Sequence, residues 1–112
     1  MALLPEEGTL LRIFISEEAK HGRWLLYEAI VHKAQEAGLA GATVFRGIMG
    51  YQAGHEIHTS SLLRLSDNMP VVVEIVDDHK KIEAFLPTVK EMVTDGLITS
   101  EKARIIKSIK KT

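Results

Sequence analysis

The chain contains no cysteine. Disulfides, thiolate nucleophiles and cysteine-held zinc or iron–sulfur centres are therefore excluded. Aromatic residues are few, with one Trp, two Tyr and three Phe, a thin supply for base stacking. Neither sign of charge dominates: 14 basic and 15 acidic residues leave a net charge of −1. Such a chain has no long-range field to gather a polyanion, so nucleic acid is not an expected partner. No apolar run approaches the roughly 20 residues needed to cross a bilayer. Residues 1–8 lack a basic stretch ahead of a long apolar core, so they do not read as a secretory signal. A cytoplasmic location is expected.

The 112 residues, 46% of them hydrophobic, suffice for one core and one domain. Residues 1–8 are expected to form an N-terminal extension and residues 9–112 the folded unit. Residues 9–16 alternate as a strand, with Leu11, Ile13 and Ile15 on one face and Leu10, Arg12 and Phe14 on the other. Residues 17–22 are polar and read as a connection. Over 23–37 the period changes to that of a helix, with a stripe of Leu26, Ile30, Ala34 and Ala37 that Gly38 should end.

A strand over 42–46 follows, and then a loop with three glycines, one arginine at its entry and two histidines. Residues 60–66 can extend the returning arm, and Ser66-Asp-Asn-Met-Pro70 is a turn signal. Residues 71–76 are apolar apart from Glu74, as in a central strand covered on both faces. Asp77 or Asp78 is expected to cap a second helix striped by Ile82, Phe85, Leu86 and Val89, which Pro87 should kink or break. Residues 97–99 form a short strand, and 103–109 a further strand or a short helix. The order strand, helix, strand, strand, helix, strand is the α+β ferredoxin-like βαββαβ pattern, an antiparallel sheet with two helices on one face. Apolar groups on both faces of that sheet predict an interface and hence a closed homo-oligomer.

Several blocks, in order, carry a resemblance. They are Lys20-His21-Gly22, Ala37-Gly-Leu-Ala-Gly-Ala-Thr-Val44, Arg46-Gly-Ile-Met-Gly50, Ile57-His58, Leu65-Ser66 and Pro70-Val-Val-Val-Glu-Ile-Val-Asp77. From about Leu10 to Ile106 the chain resembles the PII-like proteins of the family called domain of unknown function 190. The resemblance implies a homotrimer, clefts between subunits that bind a small anionic ligand such as an adenine nucleotide, and a long T-loop that contacts a regulated partner such as a membrane transporter. It places residues 47–61 as the T-loop. Residues 92–96 hold one glycine and no lysine, unlike the phosphate loop of PII proteins, and no PII-style triphosphate grip is expected there.

The ligand-binding candidates are Arg46, Gly47, Gly50, His21, His58 and Glu74. Arg46 can clamp an anion bidentately or pair with Glu74 or a neighbouring subunit. Gly47 and Gly50 allow close approach to the main chain at the loop base. His21, with Lys20 and Gly22, precedes the first helix, where free N–H groups can receive an anion; His58 can shape the cleft or fix the loop's return. Glu74, set among valines, should be the most buried acid and needs a partner such as Arg46 or Arg64. An alternative reading makes His55, Glu56 and His58 metal ligands, as in a metal-binding trimer resembling divalent-cation tolerance proteins; a solvated pair is the plainer reading. The basic residues from Lys102 to Lys111 read as a wet tail. No Gly-x-Ser-x-Gly, P-loop or His-Glu-x-x-His signature is present, so no enzyme activity and no resident cofactor are expected.

Overall fold

The computed structural model describes residues 7–59 and 68–109. In chain order these form β1 (Glu7–Ser16), β2 (Lys20–His21), β3 (Trp24–Leu25), α1 (Leu26–Glu36), β4 (Thr43–Arg46), β5 (Met49–Gly50), β6 (His58–Thr59), β7 (Pro70–Asp78), α2 (His79–Met92) and β8 (Leu97–Arg104). The four longer strands make one sheet in the order β4-β7-β1-β8, and every neighbouring pair is antiparallel. This is the expected ferredoxin-like arrangement. Alternation decides which side chains go where. Leu11, Ile13 and Ile15 of β1 and Val71, Val73 and Ile75 of β7 face the helices and are buried. Against them lie Leu26, Ile30 and Ala34 of α1 and Ile82, Phe85, Val89 and Met92 of α2.

The opposite sheet face carries a transverse apolar row. Phe45 lies across from Val72, Val72 across from Phe14, and Phe14 across from Leu97. Phe45 and Leu97 are more than half exposed. Beside this row runs a polar one, Thr43, Glu74, Arg12 and Thr99, in register across the same four strands.

Several expectations are corrected. The stretch 17–22 is not merely a connection, because Lys20–His21 pairs with Trp24–Leu25 in a small hairpin turned by Gly22 at φ +61°. That hairpin takes the residues just before Leu26, so α1 begins later than residue 23, and Ala37 is left exposed at its end. Gly38, at φ +76°, closes the helix as expected of a C′ glycine. Pro87 interrupts nothing: α2 runs unbroken from His79 to Met92. Proline is exposed there, while Phe85 and Val89 on either side of it are held in the core.

Asp78 occupies the N-cap position of α2 but makes no side-chain cap bond. Asp77 instead points into the protein and is fully buried. The last strand is continuous over Leu97–Arg104 rather than ending at residue 99. The arm proposed for 60–66 lies outside the described residues; β7 begins at Pro70.

One glycine fixes how α2 returns to the sheet. A Cβ on Gly96 would stand 2.5 Å from the Phe14 carbonyl oxygen and 3.0 Å from Ile15 Cγ2. A backbone atom cannot move aside as a side-chain end can. Gly96→Ala is therefore expected to lower stability by about 1–3 kcal/mol, read as a fall in denaturation midpoint. A variant melting with the wild type would contradict this close contact.

Candidate functional site

A cavity of about 380 Å³ opens beneath the loop that leaves β4. Its walls combine the end of β1 (Ser16), the β2 hairpin (Ala19, Lys20), the loop itself (Gly50, Tyr51, Gln52, His55, His58), the start of β7 (Asn68, Met69, Pro70) and the α2–β8 turn (Thr94, Asp95). The loop is short-range structure rather than open chain. Met49–Gly50 pairs with His58–Thr59, Gly54 turns at φ +82°, and the His55 N–H donates to Gln52 O at 2.9 Å.

Pro70 explains the first two loop glycines. A Cβ on Gly47 would lie 2.9 Å from Pro70 Cγ, and one on Gly50 3.1 Å from the same atom. The Gly47 N–H also donates to Pro70 O at 2.7 Å. Both glycines let the loop base lie flush on the start of β7. Of the two, only Gly50 lines the cavity.

Arg46 does not reach Glu74. In the β4–β7 register Arg46 lies opposite Val71 and Thr43 opposite Glu74. Arg46 therefore stands on the helix-side parity and Glu74 on the other. Arg46 Nε donates instead to both carboxylate oxygens of Glu17, at 2.9 and 3.1 Å. Glu17 also accepts from the Met69 N–H at 3.3 Å, and its own N–H donates to Met69 O at 2.9 Å. Arg46 thus braces the loop base onto the ends of β1 and β7. Nearby, Asn68 Oδ1 accepts from the Ser16 hydroxyl and from the Glu18 N–H.

Glu74 is half-buried on the outer sheet face rather than deep in the core, and its partner is Arg12, at 3.0 Å. Arg12 Nη1 also holds Glu101 at 2.7 Å. The hydrogen bond to Glu74, chiefly, and then that to Glu101 raise the Arg12 pKa against an opposing desolvation. Arg12 therefore stays charged at any working pH. Arg64, the other partner considered for Glu74, lies outside the described residues. Among the described residues the fully buried acid is Asp77: its Oδ2 accepts from the Ala40 N–H at 2.8 Å and its Oδ1 from the Asp78 N–H at 2.6 Å.

Among the histidines, His58 is half-buried and lines the cavity. His55 lines it too, with Nε2 2.7 Å from Asp95 Oδ2. Glu56 is exposed and is not among the cavity residues. His55, Glu56 and His58 form no metal cluster, and none of three or more ligating side chains occurs among the described residues. His21 is exposed in β2, opposite Trp24. It lies within the hairpin that precedes the helix and sits not in the cavity but in a shallow groove with Trp24, His32 and Lys33.

The residues singled out from the sequence thus separate. Gly50 and His58 meet at the cavity; Gly47 and Arg46 support its roof; Glu74 belongs to the outer sheet face and His21 to another surface. Lys20, Gln52, Asn68 and Asp95 were not read as site residues. Lys20 carried a signal as the cation beside His21, whereas nothing in the sequence marked Asp95.

Among the described residues no helix is long and apolar enough to cross a membrane. The fold is similar to that of CPII, a nitrogen regulatory PII-like protein from Thiomonas intermedia K12. Two structures of CPII, one bound to ADP and bicarbonate and one to ADP, AMP and bicarbonate, each match at a TM-score of 0.59 and 16% identity, over 88% of both chains. A UPF0166 protein of Aquifex aeolicus (strain VF5) is 44% identical over 87% of this chain and 91% of its own length. A UPF0166 protein of Methanocaldococcus jannaschii is 33% identical over 90% and 94%. The family described as DUF190, Uncharacterized ACR, matches residues 8–105, and with nearly the whole folded unit inside that match the chain belongs to this family.

Proposed function

We propose that the protein is a cytoplasmic regulatory protein that binds a small anionic metabolite, an adenine nucleotide, and signals through the loop over residues 47–61. The observation that carries this reading is the cavity under that loop, where Lys20, His55 and His58 line one space. An ammonium and two imidazoles offer charge-assisted donors to phosphate or carboxylate oxygens. The fold shared with CPII, whose structures hold ADP, supports a nucleotide as the occupant.

The apolar row Phe45, Val72, Phe14 and Leu97 supports assembly into a homotrimer, in which a neighbouring subunit closes the open side of each cavity. Ile48, Met49, Tyr51 and Ile57 are 60–80% exposed on the loop, a surface suited to a protein partner such as a membrane transporter. The ligand acts by binding one arrangement of the loop better than another.

Calorimetry with AMP, ADP and ATP tests this reading. The wild type is expected to bind at least one of them with a micromolar dissociation constant. Lys20→Ala is expected to weaken that binding about tenfold or more, the usual worth of a hydrogen bond to a charged group. Absence of binding by all three would remove the nucleotide from the proposal.

A further inference from the structure

Two side chains near the tip of the loop reach across to the rest of the protein at the rim of the cavity. Gln52 Nε2 donates to the Phe14 carbonyl oxygen, at a long 3.4 Å. His55 Nε2 lies 2.7 Å from Asp95 Oδ2, joining the loop to the α2–β8 turn across 40 residues of sequence. His55 and Asp95 both line the cavity. A carboxylate belonging to the chain itself therefore already occupies a histidine donor inside the space proposed for an anion.

We infer that Asp95 is a resident anion: its carboxylate holds on His55 the seat that a carboxylate or phosphate group of the ligand takes, so ligand entry and release of the loop tip are one exchange. This rests on the reading of the cavity as an anion site and adds how the site is regulated. Two features make the exchange workable. The pair is exposed, with side chains 49% and 62% accessible, and exposed polar contacts of this kind are weak enough for a ligand to displace. The Gln52 tie is a single long bond to a main-chain oxygen, so of these two contacts the His55–Asp95 one restrains the tip more strongly. With Asp95 displaced, Gly54 supplies a backbone pivot next to His55. Ile57, already 60% exposed, moves with the tip.

The exchange is read by amide hydrogen exchange over residues 52–58, with the His55 amide, bonded to Gln52 O, as reporter. Without added ligand, Asp95→Asn is expected to speed exchange there about two- to fivefold, the range that an exposed side-chain contact contributes. His55→Ala should do the same. Inorganic phosphate and acetate, in separate titrations at one pH and constant ionic strength, should alter exchange over 52–58 in the wild type. Asp95→Asn should bind the effective anion two- to fivefold more tightly, because a competitor is gone, whereas His55→Ala should bind it more weakly.

Unchanged exchange in Asp95→Asn overturns the latch. Affinity moving the same way in Asp95→Asn and His55→Ala, or neither anion acting on the wild type, overturns the shared seat. Each result is independent of the nucleotide panel: nucleotides that bind without disturbing the pair would leave the proposed function standing and this inference refuted. An effect of phosphate without acetate would assign the seat to phosphate groups, and the reverse to carboxylates.

Discussion

Asp77→Ala is expected to cost about 3 kcal/mol of folding stability, a fall of roughly 12–24 °C in melting temperature for a domain of this size. The side chain is fully buried. Each of its oxygens takes one main-chain N–H, from Ala40 at 2.8 Å and from Asp78 at 2.6 Å. Ala40 belongs to the connection between α1 and β4, so this carboxylate pins that connection to the end of β7. Truncation removes two charge-assisted bonds and strands one partly buried donor on each side. Hydrogen bonds to a charged group contribute about 1.5–3 kcal/mol apiece, and a stranded donor carries its own desolvation penalty.

Asp77→Asn should fall between the two proteins, since one of its two positions becomes an NH₂ facing an N–H. Asp78→Ala is the control. Asp78 sits at the N-cap without a side-chain cap bond, and losing its charge near the helix N-terminus should cost at most about 1 kcal/mol. Melting at one fixed protein concentration, which keeps any assembly equilibrium constant, separates the three variants. An Asp77→Ala protein that melts within a few degrees of wild type would mean that the α1–β4 connection is held by other contacts.

Asp77 also shows where the sequence was readable and where it was not. The alternation Leu11, Ile13, Ile15 and the stripes Leu26, Ile30, Ala34 and Ile82, Phe85, Val89 mark the core directly, because burial repeats with the period of each element. Two adjacent aspartates before a helix look alike in sequence, and both fit the pattern of a cap. Only the parity of β7, which puts Asp77 on the same side as Val73 and Ile75, sends one inward. The same parity sends Glu74 outward, despite its valine neighbours, toward Arg12 on the adjacent strand. Its partner could not be found without the register.

The hairpin of Lys20–His21 with Trp24–Leu25 was invisible for another reason. Two-residue strands carry no periodicity. The last strand was shortened because its helix-side positions beyond Ile98 are Ser100 and Lys102, polar residues at the sheet edge. At the site, glycines and histidines announced the loop, but the cavity's far wall comes from residues 94–95, distant in sequence and plain in composition. Spatial convergence of this kind leaves no local signal.

Phe14→Glu tests the proposed assembly and should have the largest effect on it. Phe14 lies in β1, one of the two inner strands of the sheet, between Val72 and Leu97, and Phe45 completes the row beyond Val72. If copies bury these outer faces against one another, the substitution places an uncompensated carboxylate from every chain in the contact. The row offers it no cation, and the nearest arginine on that face, Arg12, is already shared by Glu74 and Glu101. Burying an unpaired charge costs several kcal/mol even after relaxation, which for several chains at once exceeds what an interface of modest area can absorb. The wild type is therefore expected to sediment as three chains at micromolar concentration, and Phe14→Glu as a monomer with a circular dichroism spectrum like that of the wild type. Its core is untouched, because the helix-facing residues of β1 are Leu11, Ile13 and Ile15. Nucleotide binding should be lost along with assembly if a neighbouring subunit closes the cavity, and retained if one chain suffices. A monomeric wild type, or a Phe14→Glu protein that still assembles, would show that this apolar row is not where copies meet.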